Sequence, residues 1–390
     1  MRKLNITTKK RTICSIHKKN IQKSINMAVL HCITTFILIT LMTSVGGCFT
    51  MFEEKDTISN LSFSHDGKQV VFDRCQNEGC QIQVYNLETG ELAAYQSPKN
   101  ECWTMGKYSY EGKRITFSVI PKKPLGGLDL GEMQIAVMDA DGKNYKKVTT
   151  GPGAKLYPTF SHNGKKILYA RAARIRESGR TPASDYDAWE VDLTTGKQTQ
   201  LTSFEYFYMS NLTYFPDDER FIYFGEAPSL FERVSLSGDK GAFLEKMEEL
   251  KRKGKSLYNV VVMKGKELFP NPYHLPPESY PHMPLLSKDG SMLLYEKSEL
   301  GEFFLYSPDG NHRYVSGGGS IDAAAISPNG NLLAMISVGL RINVYTITDG
   351  KLQQSLYLPC APKKITNWNI RPEFKHLYKM MPEKTSRIIN

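Results

Sequence analysis

One short pattern returns along the whole chain and restricts its fold more than any other feature. It reads as a strand, a tight turn and a second strand, first in FSHDGKQVVF and again in YSYEGKRITF and FSHNGKKILY. In each copy Asp, Glu or Asn stands directly before Gly. The first side chain caps the turn, and glycine adopts the positive φ that a tight hairpin requires. Each copy therefore predicts two antiparallel strands.

The copies recur at the spacing of a repeat architecture. They begin at residues 63, 108, 160, 214, 286 and 326, with a weaker seventh copy, IRPEFKHLYKM, at 370. A second pattern follows each of the first six copies, such as IQVYNLETGEL in the first and LFERVSLSGDK (230–240) in the fourth, and predicts two more strands around another turn. Repeats of about 40 to 70 residues with four strands each are typical of β-propeller blades.

The predicted fold is all-β, a β-propeller of four-stranded antiparallel blades with strands A to D from the inside outwards. Seven blades are expected if the seventh copy, TSRIIN and a strand from CFTMFEE (48–54) complete the last blade. Six blades, with the tail packed outside, is the alternative. One short amphipathic helix is expected at 239–254, largely within an insertion at 241–285.

The N-terminal residues have the composition of an export signal. Residues 1–47 contain eight Lys or Arg and no Asp or Glu, and an apolar run ends in small residues. Val45-Gly46-Gly47-Cys48 resembles the bacterial lipobox. The resemblance implies that Cys48 begins the mature chain and carries a diacylglycerol anchor. An uncleaved signal anchor is the alternative, since about 20 apolar residues span a bilayer.

Both alternatives predict an extracytoplasmic, membrane-anchored protein, because the basic residues stay inside. The expected domains are a lipoprotein signal at 1–47 and a single propeller at 48–390. The net charge of +10 belongs mostly to the signal, and the remainder has 42 basic and 40 acidic residues. A nearly neutral body lacks the concentrated basic stripe of a phosphate-binding groove, so nucleic acid is excluded as a partner.

Four cysteines follow Cys48, and an even number outside the cytoplasm indicates disulfides. Cys75 and Cys80 stand at the ends of a four-residue connection between strands B and C of the first blade. If those strands pair there, the two Cβ atoms face each other, so a disulfide is predicted. Cys102 and Cys360 are expected in connections between blades, and whether they pair is left open.

The double pattern FSxDGxxϕxϕ and ϕxVxDLxTGxxxxLT, with ϕ apolar, resembles the WD-like repeat of TolB-type propellers over about residues 57–380. Such repeats occur in TolB, an envelope protein that binds a lipoprotein, and in prolyl-oligopeptidase-like enzymes. TolB has an α/β domain before its propeller and the peptidases have a hydrolase domain, and neither is expected here. The resemblance therefore implies the fold without an activity.

The sequence contains no G-x-S-x-G, H-E-x-x-H, P-loop or C-x-x-C motif. His65 and His162 share one repeat position and are interpreted as structural. His274, Glu278 and His282 offer a candidate metal set in a Pro-rich segment, for which oligogalacturonate lyases, propellers with a His-bound metal, are a precedent. Their spacing is not a recognised ligand pattern, so an irregular loop is the favoured interpretation and no cofactor is expected.

The long insertions all fall in B–C and D–A connections, which reach one face of a propeller, whereas the A–B and C–D turns are minimal. Long loops on a rigid ring are usually functional, so this face is predicted to bind the ligand or partner. Arginine suits anionic groups there, with a solvated loop as the alternative. The residues assigned to this face are Arg171, Arg174, Arg176, Arg180, Tyr273, His274 and His282.

The functional prediction is a lipid-anchored binding or envelope-assembly module, monomeric, whose partner is an envelope protein, a peptide or a glycan. It meets the membrane through its lipid anchor. The alternative is an enzyme, such as a metal-dependent polysaccharide lyase. Binding is favoured because no nucleophile or general base is evident and propellers often serve as scaffolds.

Overall fold

The structure is a computed structural model. It describes residues 56–76, 79–124, 126–175, 183–228, 258–273, 282–296, 302–316, 321–337 and 340–358, with Gly241 and Glu245. The chain divides into a unit of Met1–Leu358 and a unit of Pro359–Asn390, and the described residues all belong to the first.

The strands form six groups of four in chain order. Sheet 1 contains β1 (Thr57–Phe63), β2 (Gln69–Gln76), β3 (Gly79–Asn86) and β4 (Leu92–Ala94). Sheet 2 contains β5 (Glu101–Tyr108), β6 (Arg114–Pro121), β7 (Gln134–Asp139) and β8 (Lys146–Lys147), with a 3₁₀ turn at Leu130–Glu132. Sheet 3 contains β9 (Ala154–Phe160), β10 (Lys166–Ile175), β11 (Ala183–Asp192) and β12 (Gln198–Gln200).

Sheet 4 contains β13 (Tyr206–Tyr214), β14 (Arg220–Pro228), β15 (Tyr258–Lys264) and β16 (Glu267–Phe269). Sheet 5 contains β17 (His282–Leu286), β18 (Leu293–Glu296), β19 (Phe303–Tyr306) and β20 (His312–Ser316). Sheet 6 contains β21 (Ile321–Ile326), β22 (Leu332–Ser337), β23 (Arg341–Thr346) and β24 (Leu352–Tyr357). Strands within each group pair antiparallel, and Tyr186 of β11 also pairs with Tyr206 of β13, which joins sheets 3 and 4.

The A–B turns form as the sequence predicts. In the first, Gly67 adopts φ 74° and Asp66 accepts a hydrogen bond of 3.0 Å from the backbone N of Lys68. Ser64 Oγ accepts a second bond of 3.0 Å, from the backbone N of Gln69. The turn of sheet 4 has no glycine, and Asp218 takes its place with φ 56°.

The C–D turns lie beside the A–B turns at the same end of a sheet. The backbone N of Leu87, at the start of a C–D turn, donates a bond of 2.8 Å to the carbonyl of Lys68 in the A–B turn. Equivalent bonds of 2.8 Å join Ala140 to Lys113 in sheet 2 and Leu193 to Lys165 in sheet 3. The B–C and D–A connections therefore leave the opposite ends of these sheets.

The six sheets follow one another in a cycle. Each innermost strand contacts the innermost strand of the next sheet, and β21 contacts β1. One apolar cluster spans this last junction, with Phe72 of sheet 1 and Ile336 of sheet 6 both fully buried in it. Four-stranded antiparallel sheets in this order form a β-propeller.

The prediction of seven blades is not confirmed. Sheet 6 packs directly on sheet 1, which leaves no place between them for a further sheet. Residues 48–54 and 359–390, assigned to the seventh blade, lie outside the described residues. The packing of the described sheets favours the six-bladed alternative.

The assignment of strands in the fourth blade requires a correction. LFERVSLSGDK (230–240), predicted to form its third and fourth strands, lies outside the described residues, and those strands are β15 and β16. They turn at Gly265, with φ 57°, in a hairpin that lacks a preceding Asp or Asn. The insertion at 241–285 therefore contains two blade strands and the start of β17. The segment predicted as a helix (239–254) follows β14 and precedes β15, so it belongs to a B–C connection rather than a D–A connection. Only its Gly241 and Glu245 are described, and both are helical.

No helix within the described residues is long and apolar enough to cross a membrane.

Candidate functional site

A bulge interrupts the innermost strand of each sheet and shapes the space that these strands enclose. The register of β1 against β2 shifts between Ser59 and Ser62, and every other innermost strand has a similar irregularity. Four bulge residues adopt left-handed φ values: Asn60 (52°), Met105 (60°), Tyr157 (54°) and Asn211 (54°). A bulge re-aims the side chains beside it, and repeated bulges are features of the fold rather than defects.

A cavity of about 500 Å³ lies between the six innermost strands, a volume that suits a small-molecule site. The penultimate residue of each innermost strand lines it, and we call these six residues the central layer. They are Ser62, Lys107, Thr159, Thr213, Leu285 and Ala325. Only Lys107 carries a charge among the six.

Lys107 extends from sheet 2 towards sheet 4. Its Nζ lies 3.5 Å from Oγ1 of Thr213, a long contact for a hydrogen bond. Burial lowers the pKa of Lys107 to about 8. No carboxylate of the described residues forms an ion pair with its Nζ.

Asp73 fixes the bulges that border the cavity on sheets 1 and 2. Its carboxylate accepts bonds of 2.6 Å from Thr104 Oγ1, 2.6 Å from the backbone N of Met105 and 3.3 Å from that of Gly106. The side-chain amide of Asn60 also donates to it. Burial raises the pKa of Asp73 to about 6, so the carboxylate is ionised at neutral pH. The left-handed bulges of two sheets therefore share one acceptor.

Side chains of five A–B turns meet at one end of the cavity, and we call them the turn cluster: His65, Tyr110, His162, Asp218 and Lys288. Lys288 Nζ lies 3.0 Å from Nδ1 of His65 and donates a bond of 3.3 Å to the carbonyl of Tyr110. Because Lys288 belongs to sheet 5 and Tyr110 to sheet 2, these contacts cross the centre of the ring. The turn cluster therefore covers the A–B end of the cavity.

His162 and Asp218 complete the turn cluster. Nε2 of His162 lies 3.0 Å from the carbonyl of Lys288, and its ring stacks on Tyr110 with 3.6 Å between centroids. Burial lowers the pKa of His162. Asp218 accepts backbone bonds from His162 and, at 2.9 Å, from Asn163. The interpretation of His65 and His162 as structural fits these contacts between turns.

Two of the predicted arginines are described. Arg174 lies near the end of β10, where the B–C connection begins, and its Nε is 3.1 Å from Asp185 Oδ2 with 44% of its side chain exposed. Arg171 stacks its guanidinium 4.5 Å above the ring centre of Trp189 and donates to the carbonyl of Pro152. Arg174 is therefore available to a partner, whereas Arg171 is engaged in packing.

Tyr273 is a core residue, which corrects its assignment to the binding face. It is fully buried, its ring stacks on Phe215, and its hydroxyl donates a bond of 2.7 Å to the carbonyl of Gly290. The aromatic side chain therefore joins sheets 4 and 5, and its buried hydroxyl has the hydrogen-bond partner that buried tyrosines usually have.

Other predicted residues remain untested. Cys48, Arg176, Arg180, His274 and Glu278 lie outside the described residues, and of His282 only its place at the start of β17 is described. Within the described residues no group of three His, Cys, Asp or Glu side chains is arranged to hold a metal ion. The metal set proposed from sequence involves none of the described side chains.

The predicted cysteine pair lies at disulfide distance. Cys75 and Cys80 are direct cross-strand neighbours on β2 and β3, with their Sγ atoms 2.08 Å apart. Cys102 is fully buried in β5 itself, not in a connection between blades, and its Sγ accepts a bond of 3.4 Å from the backbone N of Cys80. Cys360 lies outside the described residues.

Lys107 and the cavity around it were not predicted from the sequence. The one available signal was a lysine at a repeat position where the other copies have Ser, Thr, Leu or Ala. Asp73 had a similar signal, a carboxylate directly after the apolar run Val70-Val71-Phe72.

Comparison with known proteins gives likenesses of structure only. No protein-family model matches the chain, and no curated protein matches it. TolB from Acinetobacter baumannii is 19% identical with a TM-score of 0.44, covering 67% of this chain and 55% of TolB. The chain thus spans about half the length of that protein.

Two oligogalacturonate lyases are similar at the same level. One, in complex with manganese, is 14% identical with a TM-score of 0.48 and covers 77% of this chain and 78% of the lyase. The other, from Vibrio parahaemolyticus, is 12% identical with a TM-score of 0.49 and covers 80% of this chain and 81% of the lyase. Likenesses this distant assign no activity to this chain.

Proposed function

We propose that this protein is a lipid-anchored, extracytoplasmic binding module. Its partner, an envelope protein, a peptide or a glycan, docks on the face formed by the B–C and D–A connections, which we call the connection face. Cys48 supplies the anchor and keeps the module at the membrane surface. The proposal treats the ring as a rigid scaffold and assigns recognition to the segments that it presents.

The observation that carries this proposal is the difference between the two ends of the ring. At the A–B end the turns are short, and the turn cluster binds them to one another across the axis. Several of its polar groups are therefore engaged within the protein. The connection face instead presents longer segments, among them the connection between β6 and β7, which contains a bridge between Lys122 and Leu128 and a 3₁₀ turn.

Arg174 is the described residue of the connection face best suited to an anionic group. Its side chain is 44% exposed, and the pairing with Asp185 leaves part of the guanidinium free to form further bonds. An exposed ion pair of this kind contributes little to stability, about 0 to 1 kcal/mol, so replacing Arg174 should leave the fold intact. Arg176, two residues along, is assigned to the same surface by its place in the sequence.

The test is affinity capture from solubilised membranes with the full protein. The double variant Arg174→Glu/Arg176→Glu is compared with wild type and with Lys197→Glu, a matched charge reversal in an exposed C–D turn at the opposite end of sheet 3. We expect capture of the partner to fall about tenfold in the double variant, because like charges repel an anionic surface. Thermal unfolding should be nearly unchanged in both variants.

The proposal is contradicted if Lys197→Glu abolishes capture while Arg174→Glu/Arg176→Glu leaves it intact. That result would place the partner on the turn end of the ring.

A further inference from the structure

The ammonium group of Lys107 lies in the cavity and forms almost no hydrogen bonds with the described residues. Lys107 has one contact among the described residues, 3.5 Å to Thr213 Oγ1. Lys155, buried a short distance away on β9, is the natural comparison. Its Nζ donates to the carbonyls of Met133 (2.9 Å), Gly151 (2.6 Å) and Gly153 (3.4 Å). Lys155 therefore has a structural role that Lys107 lacks.

An ammonium group withdrawn from water is costly unless an acceptor or an opposite charge accompanies it. Around Lys107 the acceptors are neutral hydroxyls, among them those of Thr159 and Thr213 in the central layer. The other charged residues along the cavity stand apart from this layer. His65 and Lys288 belong to the turn cluster, and Glu296 lies at the end of β18 next to the B–C connection. The site around Lys107 is therefore positive and open to an anion.

We propose that the central cavity binds a small organic carboxylate, with the ammonium group of Lys107 as its ion-pair partner. The hydroxyls of Thr159 and Thr213 belong to the same layer and can donate to the carboxylate oxygens, and Leu61 and Leu285 offer apolar surface to the carbon chain. This site lies inside the ring and does not depend on the partner proposed for the connection face.

A monocarboxylate fits this site better than a phosphate does. The charged residues of the described lining provide one ammonium group at the central layer and no arginine. Arginine forks are the usual means of bidentate phosphate recognition, and a dianion needs more than one cation to offset its desolvation. The volume of about 500 Å³ accommodates a molecule of several carbon atoms.

The test is calorimetric titration of the full protein with butyrate, succinate and benzoate at constant ionic strength, up to about 50 mM. Butyramide serves as the uncharged probe and inorganic phosphate as the competing anion. The variants are Lys107→Met, which keeps the length of the side chain without its charge, and Lys143→Met, a control in an exposed turn. We expect at least one carboxylate to bind wild type and Lys143→Met equally, and Lys107→Met about tenfold more weakly.

Thr213→Val provides a second variant that retains the charge and should weaken the same carboxylate by a smaller factor. Three results would overturn the proposal: no carboxylate binds wild type, Lys107→Met binds as well as wild type, or butyramide binds as well as butyrate. Phosphate binding that exceeds carboxylate binding and requires Lys107 would overturn the assignment of ligand class. If Lys107→Met fails to fold, Thr213→Val and Lys107→Gln decide the question by the same criteria.

Discussion

At the scale of single residues, the partly buried Lys107 and the fully buried Lys155 show how differently one fold accommodates two ammonium groups. Burial lowers the pKa of each to about 8, from the ordinary 10.5. Hydrogen bonds from Lys155 to the backbone carbonyls of Met133 and Gly151 offset part of the cost of its burial. Lys107 has only one long contact, which offsets little of the cost of removing its ammonium group from water. The central layer would therefore be more stable with an apolar residue at this position.

We therefore predict that Lys107→Met stabilises the protein by about 2 to 3 kcal/mol near neutral pH, somewhat less than the free energy equivalent to the lowered pKa because the side chain is not fully buried. The measurement is denaturant unfolding of wild type and variant, with Lys143→Met as the control. Residues that lower the stability of a fold and have no structural role are typical of functional sites. A variant less stable than wild type would show that Lys107 has a structural role.

The same pKa fixes the sign of the pH dependence. Below about pH 8 the lysine is protonated in both the folded and the unfolded state, and its full cost is present. Between about 8 and 10.5 the folded state releases the proton while the unfolded state keeps it, so the cost falls as pH rises. The advantage of Lys107→Met should therefore shrink over this interval.

Some residue roles could be predicted from the sequence and others could not. The turn residues Asp66 and Gly67 act within a few positions of themselves, so a local pattern revealed them. Asp73 and Lys107 act on groups that the ring brings from other sheets, such as Met105 and Thr213. A local pattern contains no information about such partners.

At the scale of elements, the hairpin of β2 and β3 shows how a register fixes a covalent link. The strands pair residue by residue from Gln69 opposite Asn86 to Gln76 opposite Gly79, which sets Cys75 directly against Cys80. The thiol of Cys102 lies beside this pair on the next sheet. Register therefore decides which of the three thiols are cross-strand neighbours.

We predict that peptide mapping without reductant recovers Cys75 linked to Cys80 and Cys102 as a free thiol. Replacing both Cys75 and Cys80 by Ser should lower the free energy of unfolding by about 2 kcal/mol, because the closed loop is short. Cys102→Ser is the control for loss of a buried thiol. Recovery of Cys80 linked to Cys102 would contradict the predicted pairing.

The strands of the fourth blade show where element prediction fails. A turn signal with Asp or Asn before Gly identified most hairpins, because that side chain stabilises the turn locally. The hairpin at Gly265 follows Lys264 and carries no such signal, and a long segment separates β14 from β15. The segment at 230–240 has both an apolar alternation and a glycine, so it resembled the missing strands more closely than β15 and β16 do.

At the scale of the whole molecule, the repeats predicted the cyclic order of the sheets but not the number of blades. Each blade pattern is complete within one stretch of chain, so the sheets themselves were evident. The number of blades depends on which sheet packs against the first. Here β21 contacts β1, and Ile58 and Ala325, nearly 270 positions apart, belong to one apolar cluster. No repeat pattern encodes that contact.

The junction of sheets 6 and 1 also differs from other junctions in how it is held. Tyr186 and Tyr206 pair their backbones between sheets 3 and 4, and Asp73 binds the backbone of sheet 2 from sheet 1. Sheets 1 and 6 are each built from one end of the described chain, and no strand passes from one into the other. Side-chain packing in the cluster of Phe72 and Ile336 joins them.

In mechanical terms the unit is a split ring, whose two ends meet at a seam that can part without breaking a strand. Opening there requires the loss of side-chain packing alone, since no backbone pairing among the described strands joins the two sheets. In hydrogen–deuterium exchange, peptides from 321–337 should exchange before peptides from 166–192, and a cysteine pair engineered across the seam should slow the first set selectively. Equal exchange rates in the two regions would show that the ring opens as one body.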